Sequence, residues 1–337
     1  MKTALITTTV NVPKVLALYR KLGPDVKFFV AGDEKTQIDA YEFCKGISNC
    51  EYYPVARQRE LRYACSEHIG WNNDSRRNIA LLEAVKWGAD IIVSIDDDMI
   101  PLGLDFFERF EIMLSEPYSG LQFGAPGTWC DVGKLTIPPA AQRGLPLNFN
   151  TLSAFSFTTD VQIGAMQGII LGVPDTDAGT AMARRPIVHS ATSVLQNGFV
   201  INPQTTCVFN SQLTAFRRNL APCFAQFYKM QGRNTDVFSS LIMRRIMCEH
   251  NLHTYFGPPF GYHARSDRDL RKDLEAERWG TERVDSFSRF IDSCILPSQS
   301  TIKNLRWLYR ALERSGMYSK ELFEAAAAFL DDMEKVL

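Results

Sequence analysis

Apolar positions in the first hundred residues follow two alternating rhythms. Short runs such as 3–9 (TALITTT) and 26–33 (VKFFVAGD) have the length and composition of buried strands. Between them, 13–23 (PKVLALYRKLG) and 35–46 (KTQIDAYEFCKG) carry apolar residues at helical spacing. Pro13 suits a first helical turn and Gly23 a helix end. A third helix is expected over 74–88, with Asp74 or Ser75 as N-cap and Gly88 at its C-terminal stop. It leads into a strand over 90–95. Strands alternating with helices in this way predict an α/β fold, a mostly parallel sheet flanked by helices.

Beyond residue 100 the rhythm loosens. A helix is expected over 103–117 and a strand over 120–127. Residues 128–165 are rich in Pro, Gly, Thr and Ser, which points to loops or a mobile flap. Residues 204–218 read as strand and turn, and 236–251 as an amphipathic helix. The last forty residues read as two helices broken near Gly316. The expected organisation is a main domain over 1–295 and a C-terminal helical segment, an appendage, over 296–337.

Composition narrows the functional classes. With 337 residues, 45% of them hydrophobic and 11% aromatic, the chain can build a sizeable core. Its 37 basic and 38 acidic side chains leave a net charge of -1, so no whole-protein field attracts a polyanion, although a local basic groove stays open. The eight cysteines form no Cys-x-x-Cys pair and several lie in apolar segments. They read as structural thiols in a reducing compartment, so a cytoplasmic protein is expected. The opening MKTALITTTVNVPK suits a first strand better than a signal peptide. No apolar run approaches the roughly 18 residues of a membrane span.

The segment 89–101 (ADIIVSIDDDMIP) drives an apolar strand into Asp96, Asp97 and Asp98. Ligands of open parallel sheets bind beyond the carboxyl ends of the strands, and these acids stand at such an end. Three adjacent carboxylates repel one another unless a cation neutralises them. Oxygen ligands suit Mg²⁺ or Mn²⁺, and Asp96 and Asp98, at alternate positions, share one side of an extended chain. A solvated strand end is the plainer alternative. Neither Gly-x-x-x-x-Gly-Lys-Ser/Thr nor Gly-x-Gly-x-x-Gly occurs where a nucleotide fold needs it, leaving a nucleotide-sugar site with a metal bridging a diphosphate. Asp97 joins the expected donor-binding set. Arg76, Arg77 and Asn78 open the preceding helix, where phosphate or a base carbonyl would be bound, or where they form an ordinary exposed turn. Thr7, Thr8, Thr9 and Asp33 end the first two strands where a uridine would lie, and equally read as strand-to-loop residues.

Four stretches in order carry a resemblance: VSIDDDMIP (93–101), GIILGVPDTDAG (168–179), GRNTDVFSS (232–240) and PFGYHARSD (259–267). They resemble the GT-A glycosyltransferases, most of all the plant reversibly glycosylated polypeptides, or UDP-arabinopyranose mutases. The similarity covers residues 60–280. It implies a GT-A, Rossmann-like fold, a UDP-sugar donor, and Mn²⁺ or Mg²⁺ held by Asp96 and Asp98 with His263 completing the coordination. By the same resemblance Asp236 would be the general base beside the acceptor, and Asp175 and Asp177 would line the sugar pocket. An N-cap role for Asp236 and a plain Pro-Asp-Gly turn at 174–179 are the structural alternatives.

One departure matters. The family's reversibly glycosylated arginine has no counterpart, because the nearest match, FSFTTD (155–160), places Thr158 or Thr159 there. Arg184 and Arg185 lie downstream and do not match. The expectation shifts from a mutase towards a glycosyltransferase, with arabinose as the sugar and a hydroxymethylated pyrimidine of viral DNA as acceptor. Arg217 and Arg218, Arg244 and Arg245, and the run 264–273 would then contact phosphates, or else form solvated faces. A mutase and a catalytically silent partner subunit are the rival readings.

Overall fold

The structure, a computed structural model, describes residues 1–149, 154–264 and 268–337. Four short strands open it: β1 (Thr3–Thr8), β2 (Lys27–Ala31), β3 (Cys50–Tyr53) and β4 (Ile91–Ile95). They pair in parallel in the order β3-β2-β1-β4. Successive side chains leave a strand on opposite faces, and here each face has its own core. Ala4, Ile6 and Ile92 pack towards the helix Arg77–Trp87. Leu5, Ile91, Val93 and Ile95 pack towards the helices Leu16–Leu22 and Phe106–Ser115. Every residue of β4 is buried, as expected of a strand covered on both sides.

The second half is a mixed arrangement. It contains β5 (Met99–Leu102), β6 (Tyr118–Phe123) and the two-residue β7 (Trp129–Cys130) and β8 (Thr136–Ile137). There follow β9 (Phe155–Gly172), β10 (Ser190–Ala191), β11 (Phe199–Ile201), β12 (Thr206–Cys207), β13 (Leu213–Arg217) and β14 (Leu252–His263). The ten-stranded sheet runs β3-β2-β1-β4-β13-β9-β6-β11-β14-β5. β13 joins the halves by pairing antiparallel with both β4 and β9. β14 also pairs in parallel with β9, so β9, β6, β11 and β14 close on one another.

Two expectations are corrected. Residues 155–165, expected as loop or flap, belong to the long β9. Thr and Ser there alternate with Phe157, Val161 and Ile163, and β-branched and aromatic residues suit a pleated surface better than a loop. The helix expected from 74 begins as a 3₁₀ turn, Asp74–Arg76, before Arg77–Trp87. Its cap is Asn73, whose extended backbone lets its side chain accept the Ser75 N–H, and neither Asp74 nor Ser75 takes that place. Gly88 ends the helix in the left-handed region (φ 86°), as expected.

Helices Thr301–Arg314 and Lys320–Val336 flank a turn at Gly316 and share the core of Arg77–Trp87. Buried Asp332 ties them to the first half by accepting the Cys65 N–H at 2.8 Å. No helix among the described residues is long and apolar enough to cross a membrane.

Candidate functional site

Strand pairing brings the far-separated acids and histidine together. β4 ends at Ile95, the aspartates form the turn, and β5 starts at once, antiparallel to β14 with Met99 opposite His263. β14 simultaneously pairs His263 with Gly172 of β9. One ligand atom each from Asp96, Asp98 and His263 then lies within 4.8 Å of the others. The His263 Nδ1 is 2.8 Å from the Val173 carbonyl, which can only accept. That bond places the proton on Nδ1 and leaves the Nε2 lone pair 3.2 Å from Asp98 Oδ1. A proton on Nε2 or a bound cation would bridge these two atoms, and with Asp96 the three groups are placed as a metal site would need. Two carboxylates with one imidazole could hold a divalent cation such as Mn²⁺ or Mg²⁺. His263 is sealed, whereas the Asp98 side chain is 35% exposed, so the group opens to solvent on its acidic side.

Neighbouring residues hold these acids. Arg77 donates from Nη2 to Asp96 Oδ1 at 2.6 Å and to the Ile95 carbonyl at 3.2 Å. The Thr9 hydroxyl donates to Asp97. Burial, with repulsion from Asp96 and Asp98, pushes the Asp97 carboxyl up to about 6 against the lowering effect of that hydroxyl.

A polar pocket adjoins the triad and shares Asp96 with it. At its centre Arg143 donates to both oxygens of Asp175 (2.8 and 3.1 Å) and both of Asp236 (3.0 Å each). Burial works against the charged guanidinium, but Asp175 and Asp236 hold it well above its ordinary range. Gly144 makes this reach possible. Its positive φ and bare Cα let the chain press against Val237, one residue from Asp236. Arg233 pairs with Glu277 and Asp273 and approaches Asp175 at 3.8 Å. Asp236 also accepts the Val237 N–H at 2.9 Å and the Ser211 N–H at 3.3 Å. It lies in the first turn of the helix Thr235–Glu249, whose cap position is Asn234. Asp74 also lines the pocket, and its carboxyl is raised by the surrounding protein and by Asp96.

Several expected residues are engaged elsewhere. Arg76 is fully buried and donates to Gln58, Ser66 and Gly70, with its guanidinium 3.8 Å above the Trp71 ring. It braces residues 58–71, and the donors it uses there are the ones a phosphate would need. Asn78 exchanges two bonds with the Gln226 backbone and has no face left for a base. Asp33 accepts the N–H groups of Glu34, Asn72 and Asn73, which sets the start of the Asn73-capped helix. The Thr7 and Thr8 hydroxyls donate to backbone carbonyls. Asp177 caps the helix Ala178–Arg184.

The arginine pairs are likewise internal. Arg217 donates to Gln162, and Arg218 to the Val85 and Leu337 carbonyls. Arg244 pairs with Asp292, and Arg245 with Glu249 and the carbonyls of Ile291 and Cys294. These internal partners compete with the expected phosphate contacts. Of the run 264–273, residues 265–267 lie outside the described residues, and Arg268 pairs with Asp273 at 2.9 Å. Thr158 and Thr159, matched to the family's arginine, lie on the order of 40 Å along β9 from Gly172 at about 3.3 Å per residue. An arginine does stand in the pocket, and it is Arg143. The sequence held one signal for it: Arg143 is the sole charged residue between Lys134 and Asp160. Arg233 lay within the stretch 232–240 that carries the resemblance.

No family model matches the chain, and no curated protein matches it. Among solved structures, a mannosyltransferase from Pyrobaculum calidifontis in complex with GDP-Man and Mn²⁺ is similar at a TM-score of 0.39 and 10% identity. The alignment covers 99% of this chain and 86% of that one.

Proposed function

We propose that the protein is a metal-dependent glycosyltransferase that takes its sugar from a nucleoside diphosphate donor. The observation that carries this reading is the convergence of Asp96, Asp98 and His263 beside a polar pocket that shares Asp96. A divalent cation held there, Mn²⁺ or Mg²⁺, would stabilise the charge of the departing diphosphate. Asp96 and Asp98 would contribute carboxylate oxygens and His263 its Nε2. Arg77 fixes the orientation of Asp96, and the Val173 carbonyl that of His263.

The transferred sugar would occupy the pocket, with its walls set by the Arg143, Asp175 and Asp236 lattice. Asp236 was the expected base, yet both of its oxygens already accept from Arg143 and from backbone N–H groups. Asp74 is the more open acid on the wall, and it would take the proton of the acceptor hydroxyl as that oxygen attacks the anomeric carbon. The motif resemblance supports a UDP-pentose donor such as UDP-arabinose. A hydroxymethylated pyrimidine of DNA remains an acceptor to assay.

Release of UDP from UDP-sugars is expected to require Mn²⁺ or Mg²⁺ and to be lost in Asp98→Ala with folding retained. Turnover that persists in excess chelator would overturn the reading. The second reading is a UDP-sugar mutase, for which Arg143 in the pocket lining is the candidate glycosylated arginine once freed from Asp175 and Asp236. Interconversion of ring forms without acceptor, with an added pentose mass on Arg143, would establish it.

A further inference from the structure

Two glutamines in the pocket wall carry amide atoms that have no hydrogen-bond partner among the described residues. Gln226 is 1% exposed, and neither its Nε2 nor its Oε1 is hydrogen-bonded among the described residues. Gln212 is 4% exposed and its Oε1 is likewise unpaired. Their backbones are firmly held. The N–H and carbonyl of Gln226 are both bonded to Asn78, at 2.9 and 2.8 Å. The Gln212 N–H donates to Asn210 at 3.0 Å, and its carbonyl accepts the Asp96 N–H at 3.3 Å. A loose loop is therefore no explanation for the idle amides. Buried polar groups are almost always paired, so idle amide atoms in the wall of a pocket call for a partner that a ligand would supply.

We infer that Gln226 and Gln212 select the transferred sugar by its hydroxyls. A primary amide offers donor and acceptor side by side, and a hydroxyl both gives and accepts, so Gln226 matches two neighbouring hydroxyls of a sugar ring. Gln212 Oε1 accepts from a third. Charge narrows the class further. The same wall carries the carboxylates of Asp74, Asp96, Asp175 and Asp236 against the guanidiniums of Arg143 and Arg233. The excess is acidic, and a bound cation's charge is met by the diphosphate. The pocket therefore takes a neutral polyhydroxyl sugar and repels a uronate, whose carboxylate would face like charge. This inference rests on the donor reading above and goes beyond it by naming the residues that choose the sugar.

The test is titration of the full chain and of Gln226→Leu, in Mn²⁺, with UDP, UDP-arabinose, UDP-galactose and UDP-glucuronate, and with GDP and GDP-mannose. UDP or GDP is expected to bind both proteins alike. The matching neutral nucleotide sugar is expected to bind wild type about tenfold tighter than UDP-glucuronate, and to lose about tenfold in Gln226→Leu. The Tm of the variant is expected to stay level or rise, because an idle amide is replaced by an apolar group of similar size. A lower Tm with the sugar-to-diphosphate affinity ratio unchanged would make Gln226 a packing residue and overturn the inference. UDP-glucuronate binding as tightly as the neutral sugars would overturn it as well, with the donor reading intact. Failure of both UDP and GDP to bind wild type with Mn²⁺ removes the donor reading, and this inference with it.

Discussion

His263 meets Asp98 because the end of β14 pairs with β5, the strand that follows the aspartates directly. The convergence of the candidate metal ligands is thus a product of sheet register. Mn²⁺ is expected to raise the Tm of wild type, and the rise should vanish in His263→Ala. A shift of equal size in the variant would remove His263 from the ligand set.

Arg77 holds Asp96 from beneath without entering the pocket lining. Partners behind metal ligands typically contribute 10–100-fold to affinity, so Arg77→Met should weaken Mn²⁺ binding by about that factor. Titration followed by the Mn²⁺ paramagnetic resonance signal measures it. Unchanged affinity would leave Arg77 a purely structural tie between β4 and residue 211.

Arg143 is the cation between two buried carboxylates. Removing one member of such a set strands the others, so Arg143→Met should destabilise the fold by about 3–5 kcal/mol. The double variant with Asp236→Asn should recover part of that loss, since one of the stranded charges goes with it. Urea denaturation of both proteins provides the comparison.

Asp74 and Asp236 separate by kinetics. Asp74→Asn is expected to lower kcat by about 10²–10⁴ with donor KM nearly unchanged. Asp236→Asn should first lower stability, through Arg143. A large kcat loss confined to Asp236→Asn would return the proton to that residue.

Glu51 provides a test at acid pH. Burial alone would raise its carboxyl, but bonds from Lys27, Arg57 and Tyr53 bring it down to about 2 from an ordinary 4.5. A folded value below the unfolded one means stability that is present above 4.5 and lost as pH falls towards about 2. Glu51→Gln should flatten that part of the stability–pH profile, and an unchanged acid limb would count against the pairing.

What the sequence made legible was local or periodic. β4 could be read from its apolar run, and the acids beside it from their position where that run stops. Gly88 and Asn73 show how near and how far such reading goes, since the glycine marks the helix stop and the cap lies just upstream of the expected Asp74 or Ser75. Arg76 and Arg77 mark a real limit. Neighbours on a helix point about 100° apart, and only tertiary packing decides which one meets Asp96. Arg143 was less accessible still. It lies in a segment without period, and its partner Asp236 comes 93 residues later.

β4 lies between β1, from the start of the chain, and β13, more than a hundred residues further on. Pairings this distant form slowly, because a long loop must close before any contact rewards it. Asp96, Asp98 and His263 can therefore meet only once β14, more than a hundred and fifty residues on, has paired with β5. A cation bound there would act as a latch, slowing escape from the finished structure and leaving the speed of reaching it nearly unchanged.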